Sequence, residues 1–131
     1  MDAKRIGLSG ENAAVKYLIH NGYTIIARNV RLPAGELDIV ALDREVLCFI
    51  EVKCQMNINS YGRRLFTPRG EFRPDRRIDY RKRKRLCTLG AQYLDKHTKN
   101  RGKPLRFDII GVYLDMRRKR AKIDHSKNVA L

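Results

Sequence analysis

The sequence predicts a single α/β domain with a mixed β-sheet flanked by helices, in the order αβββαβ. Two segments repeat apolar residues with helical spacing, and several short segments rich in β-branched and aromatic residues have the character of strands. At 131 residues the chain is long enough to bury one hydrophobic core without disulfides or metals. We therefore expect one domain over residues 1–131.

The first helix is expected at residues 9–21. Ser9 is a suitable N-cap, and Asn21-Gly22 supplies a C-terminal stop. Glu11 lies at the start of the apolar stripe that faces inward, which continues through Ala14, Val15 and Leu18. A carboxylate is therefore expected on the inner side of this helix.

Three strands are expected next, and a long loop follows them. Residues 23–30 are rich in β-branched and aromatic side chains, and the segment RLPAG at 31–35 then turns the chain. Residues 36–42 and 46–53 form a hairpin. Residues 58–80 contain glycine and proline without clear periodicity, so we expect an irregular basic loop there.

The second half of the chain predicts a helix between two parallel strands. The helix begins near Asp79 and ends before Asn100, and it buries an apolar stripe of Leu86, Leu89, Gly90, Tyr93 and Leu94. Residues 105–114 are apolar on both faces, as in a central strand, and residues 120–124 add an edge strand. A strand, a helix and a strand in sequence predict a parallel pair.

Basic residues far outnumber acidic ones. The chain has 29 Lys and Arg against 14 Asp and Glu, a net charge of +15. This charge favours a polyanionic partner, nucleic acid before an anionic membrane or an acidic protein. The basic residues are densest over 63–85, for which a solvated or disordered surface segment is the alternative. We expect phosphate contacts there from Arg63, Arg64, Arg69, Arg73, Arg76, Arg77, Arg81, Lys82, Lys84 and Arg85.

The N-terminal residues lack the apolar stretch of a signal peptide, and no apolar run approaches the ~18–20 residues that span a bilayer. The three cysteines form no CxxC pair. We therefore expect a reduced cytoplasmic protein with no membrane partner.

The predicted hairpin carries charges at every second position. Glu36 and Asp38 share one face of its first strand, and Glu51 and Lys53 share one face of its second strand. A two-residue loop at 43–44 sets Asp38 diagonal to Glu51, and a four-residue loop at 43–46 sets them directly opposite. A three-residue loop would place Glu51 on the other side.

Such a polar face suits metal-assisted chemistry. Neighbouring carboxylates repel each other unless a cation lies between them, and oxygen ligands without His or Cys favour Mg²⁺, Mn²⁺ or Ca²⁺. Lys53 on the same face can orient an attacking water or stabilise phosphoryl charge. With the basic surface, these groups predict a phosphodiesterase. The alternative is a solvent-exposed strand face with a Glu51–Lys53 salt bridge.

The sequence resembles the PD-(D/E)xK nuclease superfamily, which has a restriction-endonuclease-like core. The resemblance lies in the ordered set of Glu11, the GELD segment at 35–38 and the EVK segment at 51–53. More closely, they resemble the YraN-like bacterial family of predicted endonucleases, which is similar to archaeal Holliday-junction resolvases. The stretch GENAAVKYL, the Arg28-Asn29 step and the later segments YG and RFD extend the resemblance over nearly the whole chain.

The resemblance implies a role for each matching residue. Asp38, Glu51 and the backbone carbonyl of Val52 would bind Mg²⁺ or Mn²⁺, and Lys53 would be catalytic. Glu11 would complete the acidic cluster as a further ligand. Glu36 shares the face as a site residue of second rank, and Lys82 matches a helix lysine that faces the site.

The implied activity is a metal-dependent DNA endonuclease acting as a homodimer. Because no sequence-reading motif is visible, we expect it to select branched or flapped DNA rather than a base sequence. A non-catalytic nucleic-acid-binding or scaffolding protein on the same fold is the alternative, and a ribosome-associated RNA binder is a third option. Outside the site, we expect Asp108 to be a structural carboxylate. His20, His97 and His125 are expected at the surface or at helix ends.

Overall fold

The computed structural model describes residues 3–56, 80–115 and 118–129. Within these ranges the chain forms two α-helices, a short 3₁₀ helix at Thr98–Asn100 and five β-strands. The helices and strands are α1 (Ala3–His20), β1 (Thr24–Leu32), β2 (Gly35–Asp43), β3 (Val46–Met56), α2 (Tyr80–Lys96), β4 (Leu105–Asp115) and β5 (Arg120–Ser126).

The strands form one mixed sheet in the order β1-β2-β3-β4-β5. Neighbouring strands are antiparallel, except that β3 and β4, which α2 connects, run parallel. This confirms the predicted fold class, an αβββαβ core with a mixed sheet and an added edge strand. The architecture is consistent with a restriction-endonuclease-like core.

Each helix covers one face of the sheet. On one face, Ala14 and Leu18 of α1 pack in a buried cluster with Ile50 and Ile110. On the other face, the apolar stripe of α2 packs against Phe49 in a second cluster that includes Leu86, Leu89, Tyr93 and Phe107. The two faces of β3 are therefore assigned: even-numbered residues face α1, and odd-numbered residues face α2.

Helix α1 is longer at its N-terminus than the sequence predicted. It begins at Ala3, and Ser9 lies inside it rather than at its N-cap. A Ser in a helix interior costs only about 0.5 kcal/mol relative to Ala, too little to stop a helix that packs on a sheet. The predicted end is confirmed, because Gly22 has a φ of 88° and the Tyr23 amide donates to the Leu18 carbonyl at 3.0 Å.

Helix α2 begins with Tyr80, next to the predicted Asp79. The expected loop at 58–80 lies almost wholly outside the described residues. The same holds for part of the predicted phosphate contacts, namely Arg63, Arg64, Arg69, Arg73, Arg76 and Arg77.

Across the described ranges, neither helix is long and apolar enough to span a membrane.

Candidate active site

The register of the hairpin brings Asp38 and Glu51 to opposite positions. Pairing runs from Asp43↔Val46 to Ile39↔Ile50, so Asp38 and Glu51 would be the next pair. The site requires a loop of even length, and this is confirmed. The observed register is the one predicted for a four-residue loop at 43–46, which sets Asp38 opposite Glu51. The register predicted for a two-residue loop at 43–44 is wrong. The loop itself is Arg44-Glu45. Arg44 adopts a φ of 56°, a conformation for which short hairpins usually select Gly, Asn or Asp, so the residue types gave no sign of it.

The two strands separate immediately beyond Ile39 and Ile50. Between Ile39 and Gly35, β2 remains paired with β1 but is no longer paired with β3. Asp38 lies at this fork, and its Oδ2 accepts a 2.8 Å hydrogen bond from the Val52 amide. The carboxylate therefore takes the place of a backbone carbonyl in the ladder, and its position relative to β3 is set by the sheet itself.

Two lysines contact Glu51, one from each side. Lys53 Nζ lies 3.4 Å from Glu51 Oε1, and Lys82 Nζ, from α2, lies 3.0 Å from Oε2. Oε2 is buried, and its contact with Lys82 is an ion pair without the alignment of a regular hydrogen bond. We refer to Asp38 and Glu51 as the acid pair.

Lys82 faces the site, as the resemblance implied, and is not the surface phosphate contact that the basic segment suggested. Its side chain is only 13% exposed and faces the acid pair. Burial and the adjacent Lys53 ammonium hold the pKa of Lys82 below its ordinary value, against the attraction of Glu51. Helical spacing explains this orientation, because Lys82 lies four residues before Leu86, which faces the sheet.

The environment of Asp38 disfavours its charge. Burial raises the pKa of the Asp38 carboxyl to about 6, although the Val52 amide lowers it, and the charges of Glu51, Glu11 and Glu36 raise it further. Four carboxylates are thus close enough to interact. Perturbed carboxyl groups beside like charges are typical of functional sites.

Glu11 is buried at 8% exposure, as its place at the start of the inward stripe predicted. Its Oε1 accepts hydrogen bonds from Arg28 Nε at 2.9 Å and Asn29 Nδ2 at 3.0 Å. Among the described residues, no three His, Cys, Asp or Glu side chains are grouped closely enough to hold a metal ion. The acid pair therefore supplies two carboxylates, and Glu11 on α1 is close enough to act on the charge of Asp38.

An open pocket adjoins the acid pair between the hairpin and α2. It is lined by Glu36, Asp38, Glu51, Arg85, Leu86 and Leu89, together with the buried Asp108 and three apolar residues of β2 and β3. The Glu36 side chain is exposed, and its Oε2 lies 3.8 Å from Arg31 Nε. Arg81, Lys84 and Arg85 are exposed on α2, so the described part of the predicted basic surface borders the pocket through Arg85.

A second polar cluster lies in the core and is structural. Asp108 is fully buried and accepts hydrogen bonds from Arg106, from His125 Nε2 at 2.8 Å and from the Asn128 amide. Burial raises the pKa of Asp108, but these hydrogen bonds and the Arg106 charge hold it below its ordinary value. The prediction for Asp108 is confirmed.

The prediction for His125 is wrong, because its side chain is only 5% exposed and its Nδ1 also contacts the Tyr17 hydroxyl at 2.8 Å. The alternation of Ile123 and His125 on the inner face of β5 was the available signal. His20 and His97 are exposed, as expected.

Comparison with known proteins places the chain in a family. The model of the family described as "Uncharacterised protein family UPF0102" matches residues 10–112, a range that includes Glu11, the acid pair and both site lysines. A UPF0102 protein from Symbiobacterium thermophilum is 41% identical over 110 residues, covering 84% of this chain and 83% of its own.

Two further relatives are similarly close. A UPF0102 protein from Moorella thermoacetica is 37% identical over 124 residues, with 95% and 93% coverage. One from Clostridioides difficile is 36% identical over 114 residues, with 87% and 90% coverage. The family match and the identities over nearly full-length chains lead to one conclusion: this chain belongs to the UPF0102 family, the YraN-like family that its sequence resembles.

Proposed function

We propose that the protein is a metal-dependent DNA endonuclease that hydrolyses phosphodiester bonds at the acid pair. The observation that carries this proposal is the fork of the hairpin, where Asp38 lies opposite Glu51 and two lysines contact Glu51. Two carboxylates, two ammonium groups and an adjoining pocket bordered by Arg85 make a set of groups suited to phosphate chemistry.

The acid pair fits Mg²⁺ or Mn²⁺. Its donors are hard carboxylate oxygens, and Glu51 Oε2 is buried without a regular hydrogen bond. Since Mg²⁺ keeps several waters, Asp38, Glu51 and the Val52 carbonyl would suffice as protein ligands. Glu11 remains a predicted further ligand. When bound, the ion would lower the pKa of a water and neutralise charge on the phosphate.

The chain's own residues account for the rest of the chemistry. In the reaction, a water oxygen bonds to phosphorus and gives up a proton to solvent. The bond from phosphorus to the leaving sugar oxygen breaks, and that oxygen takes up a proton from solvent. Lys53, partly exposed beside Glu51, would orient the water or hold a phosphoryl oxygen. Arg85 and the exposed face of α2 would hold the backbone of the nucleic acid without reading its sequence.

The substrate we favour is branched or flapped DNA, because the sequence carries no base-reading motif. A homodimer, as implied for resolvase-like proteins, is part of the same proposal. The basic surface of α2 supports a nucleic-acid partner. The carboxylates of the acid pair beside it would not be needed by a surface that only binds phosphate, so they favour catalysis.

One observation favours a second candidate function. Glu51 is already neutralised by two lysines, as expected of a structural ion-pair cluster in a nucleic-acid-binding protein without catalysis. Such a protein would bind DNA and cleave none.

Cleavage assays distinguish the two candidates. Purified protein is incubated with junction, flap and duplex DNA, with Mg²⁺ or Mn²⁺ and with a chelator. We expect metal-dependent cleavage of a branched substrate, abolished in Asp38→Asn and in Lys53→Met. Asp95→Asn, which alters an exposed aspartate of α2, is the matched control and should cleave like wild type. Equal cleavage by all the proteins would indicate a contaminant and refute the catalytic proposal, and binding without cleavage would establish the second candidate.

A further inference from the structure

We propose that the Arg28-Asn29 step of β1 is a positioning device that fixes the Glu11 carboxylate beside the acid pair. Neither residue would touch the substrate, so both are positioning residues. The inference rests on the proposed function, because it assigns these two residues a role in metal binding and cleavage at that same site.

The contacts converge on a single oxygen atom. Glu11 Oε1 accepts from Arg28 Nε at 2.9 Å and from Asn29 Nδ2 at 3.0 Å. The Arg28 guanidinium is itself tied back to α1, since its Nη2 donates to Asn12 Oδ1 at 2.7 Å. Two donors on Oε1 set the direction of the whole carboxylate, which leaves Oε2 as the oxygen with which Glu11 could act.

Two consecutive residues of a regular strand could not make these contacts, because their side chains point to opposite faces of the sheet. Asn29 breaks that alternation with a φ of 52°. Ala27 and Val30, three residues apart, both pack against the cluster on the α2 face, which also shows the break. The left-handed conformation therefore brings both Arg28 and Asn29 to Glu11.

The break occurs at the level of the acid pair. Arg28 pairs with Ile39, and Val30 pairs with Leu37, so Asn29 occupies the position across from Asp38. A non-glycine residue in this conformation stores strain, of order 1 kcal/mol and less for Asn than for most residues. Backbone strain of this kind is concentrated at functional sites, where the surrounding structure maintains it.

Stability alone does not explain the arrangement. The Arg28 side chain is 34% exposed, and ion pairs with a solvent-exposed partner contribute little to folding. Glu11, by contrast, is kept in a buried position close to other carboxylates, which costs stability. Residues that orient a ligand typically change metal affinity by about 10- to 100-fold when they are removed.

The test uses Asn29→Gly, because glycine accepts a positive φ without strain and the substitution removes only the side-chain amide. Asn128→Gly is the matched control, since Asn128 has the same φ of 52° and its backbone amide, which glycine keeps, contacts Asp108 rather than Glu11. Mn²⁺ affinity is measured by electron paramagnetic resonance on the full chain without DNA, and kcat and KM are measured on the DNA that wild type cleaves.

We expect Asn29→Gly to weaken Mn²⁺ binding by about tenfold or more and to lower kcat with KM for DNA unchanged. Arg28→Lys, which keeps the charge but loses the planar fork, should have an intermediate effect. Asn128→Gly should match wild type in both measurements.

Three outcomes would overturn the inference in distinguishable ways. Mn²⁺ binding of Asn29→Gly equal to wild type would refute the positioning role and leave the proposed function intact. An equal loss in Asn128→Gly would mean that the effect reports the fold rather than the site. Wild type that binds no Mn²⁺ would refute the inference together with the metal dependence of the proposed function.

Discussion

The Asp38 carboxylate accepts a 2.8 Å hydrogen bond from the Val52 amide where β2 and β3 separate. A side chain thereby continues a backbone ladder that the strands themselves no longer maintain. Because Val52 lies between Glu51 and Lys53, this single bond fixes Asp38 relative to both charged residues of β3. The geometry of the site is therefore a property of the sheet.

The raised pKa of Asp38 makes a prediction about stability. The carboxyl titrates near 3.8 when exposed and at about 6 in the folded chain, so the folded state binds the proton more tightly. Stability that is fully present below about pH 4 is consequently lost as the pH rises to 6. Asp38→Asn, which can still accept from Val52, should raise the free energy of unfolding at pH 7.5 by an amount of order 2 kcal/mol.

Denaturant unfolding at pH 3.5 and pH 7.5 measures this effect. The gain should vanish at pH 3.5, and Mg²⁺ should reduce it at pH 7.5 by stabilising only the wild-type carboxylate. Asp95→Asn, at an exposed aspartate, should show no pH-dependent gain. Asp38→Asn that is less stable than wild type at pH 7.5 would contradict the unfavourable burial of this carboxylate.

Lys82 and Lys84 of α2 provide a matched pair, one facing the acid pair and one exposed. Lys82→Ala removes the ammonium from a mostly buried carboxylate, Glu51. We expect it to lower the free energy of unfolding by about 1–2 kcal/mol, less than for a fully buried pair, and to lower kcat by on the order of 100-fold. Lys84→Ala should change neither quantity. Equal effects of the two substitutions would mean that Lys82 acts only through the net positive charge of the surface, as Lys84 does, and not through its contact with Glu51.

The His125 cluster is expected to stabilise the fold, and His125 itself is not among the residues that line the pocket. His125→Ala leaves the buried Asp108 and the Tyr17 hydroxyl each without one hydrogen-bond partner. The expected loss is about 2–3 kcal/mol in the free energy of unfolding, measured by chemical denaturation. His20→Ala, at the exposed end of α1, should be neutral. Loss of Mn²⁺ binding in folded His125→Ala would instead connect this cluster to the site.

Hydrophobic periodicity was sufficient to predict the order of the elements, because buried stripes such as Leu86, Leu89 and Tyr93 reflect packing directly. The alternation of side chains along the two strands also predicted that Asp38 and Glu51 share a face, but it left the register of the hairpin open between two alternatives. The register itself depended on a positive φ at Arg44, and the side chain of Arg gives no sign of that conformation. The same applies to Asn29, whose role arises from backbone geometry and a contact with another element.

Two glycines of α1 should respond in opposite directions to the same substitution. A Cβ at Gly10 would overlap the Cys54 side chain, so α1 passes very close to β3 at this point. Gly7 has nothing within 4 Å of such a Cβ. We expect Gly10→Ala to destabilise the fold by about 1–3 kcal/mol and Gly7→Ala to stabilise it by up to about 1 kcal/mol. Thermal unfolding of both variants is the measurement, and a neutral Gly10→Ala would mean that the helix shifts without cost.

Arg85 is the exposed cation of α2 that lines the pocket, and Lys96 is an exposed cation at the far end of the same helix. If the DNA backbone crosses the pocket, Arg85 neutralises a phosphate and releases its counterion. The slope of the logarithm of the binding constant against the logarithm of salt concentration should then become shallower by about 0.9 in Arg85→Ala. Fluorescence anisotropy with a chelator present measures binding independently of cleavage. Lys96→Ala should keep the wild-type slope, and a slope that changes only in Lys96→Ala would place the DNA away from the acid pair.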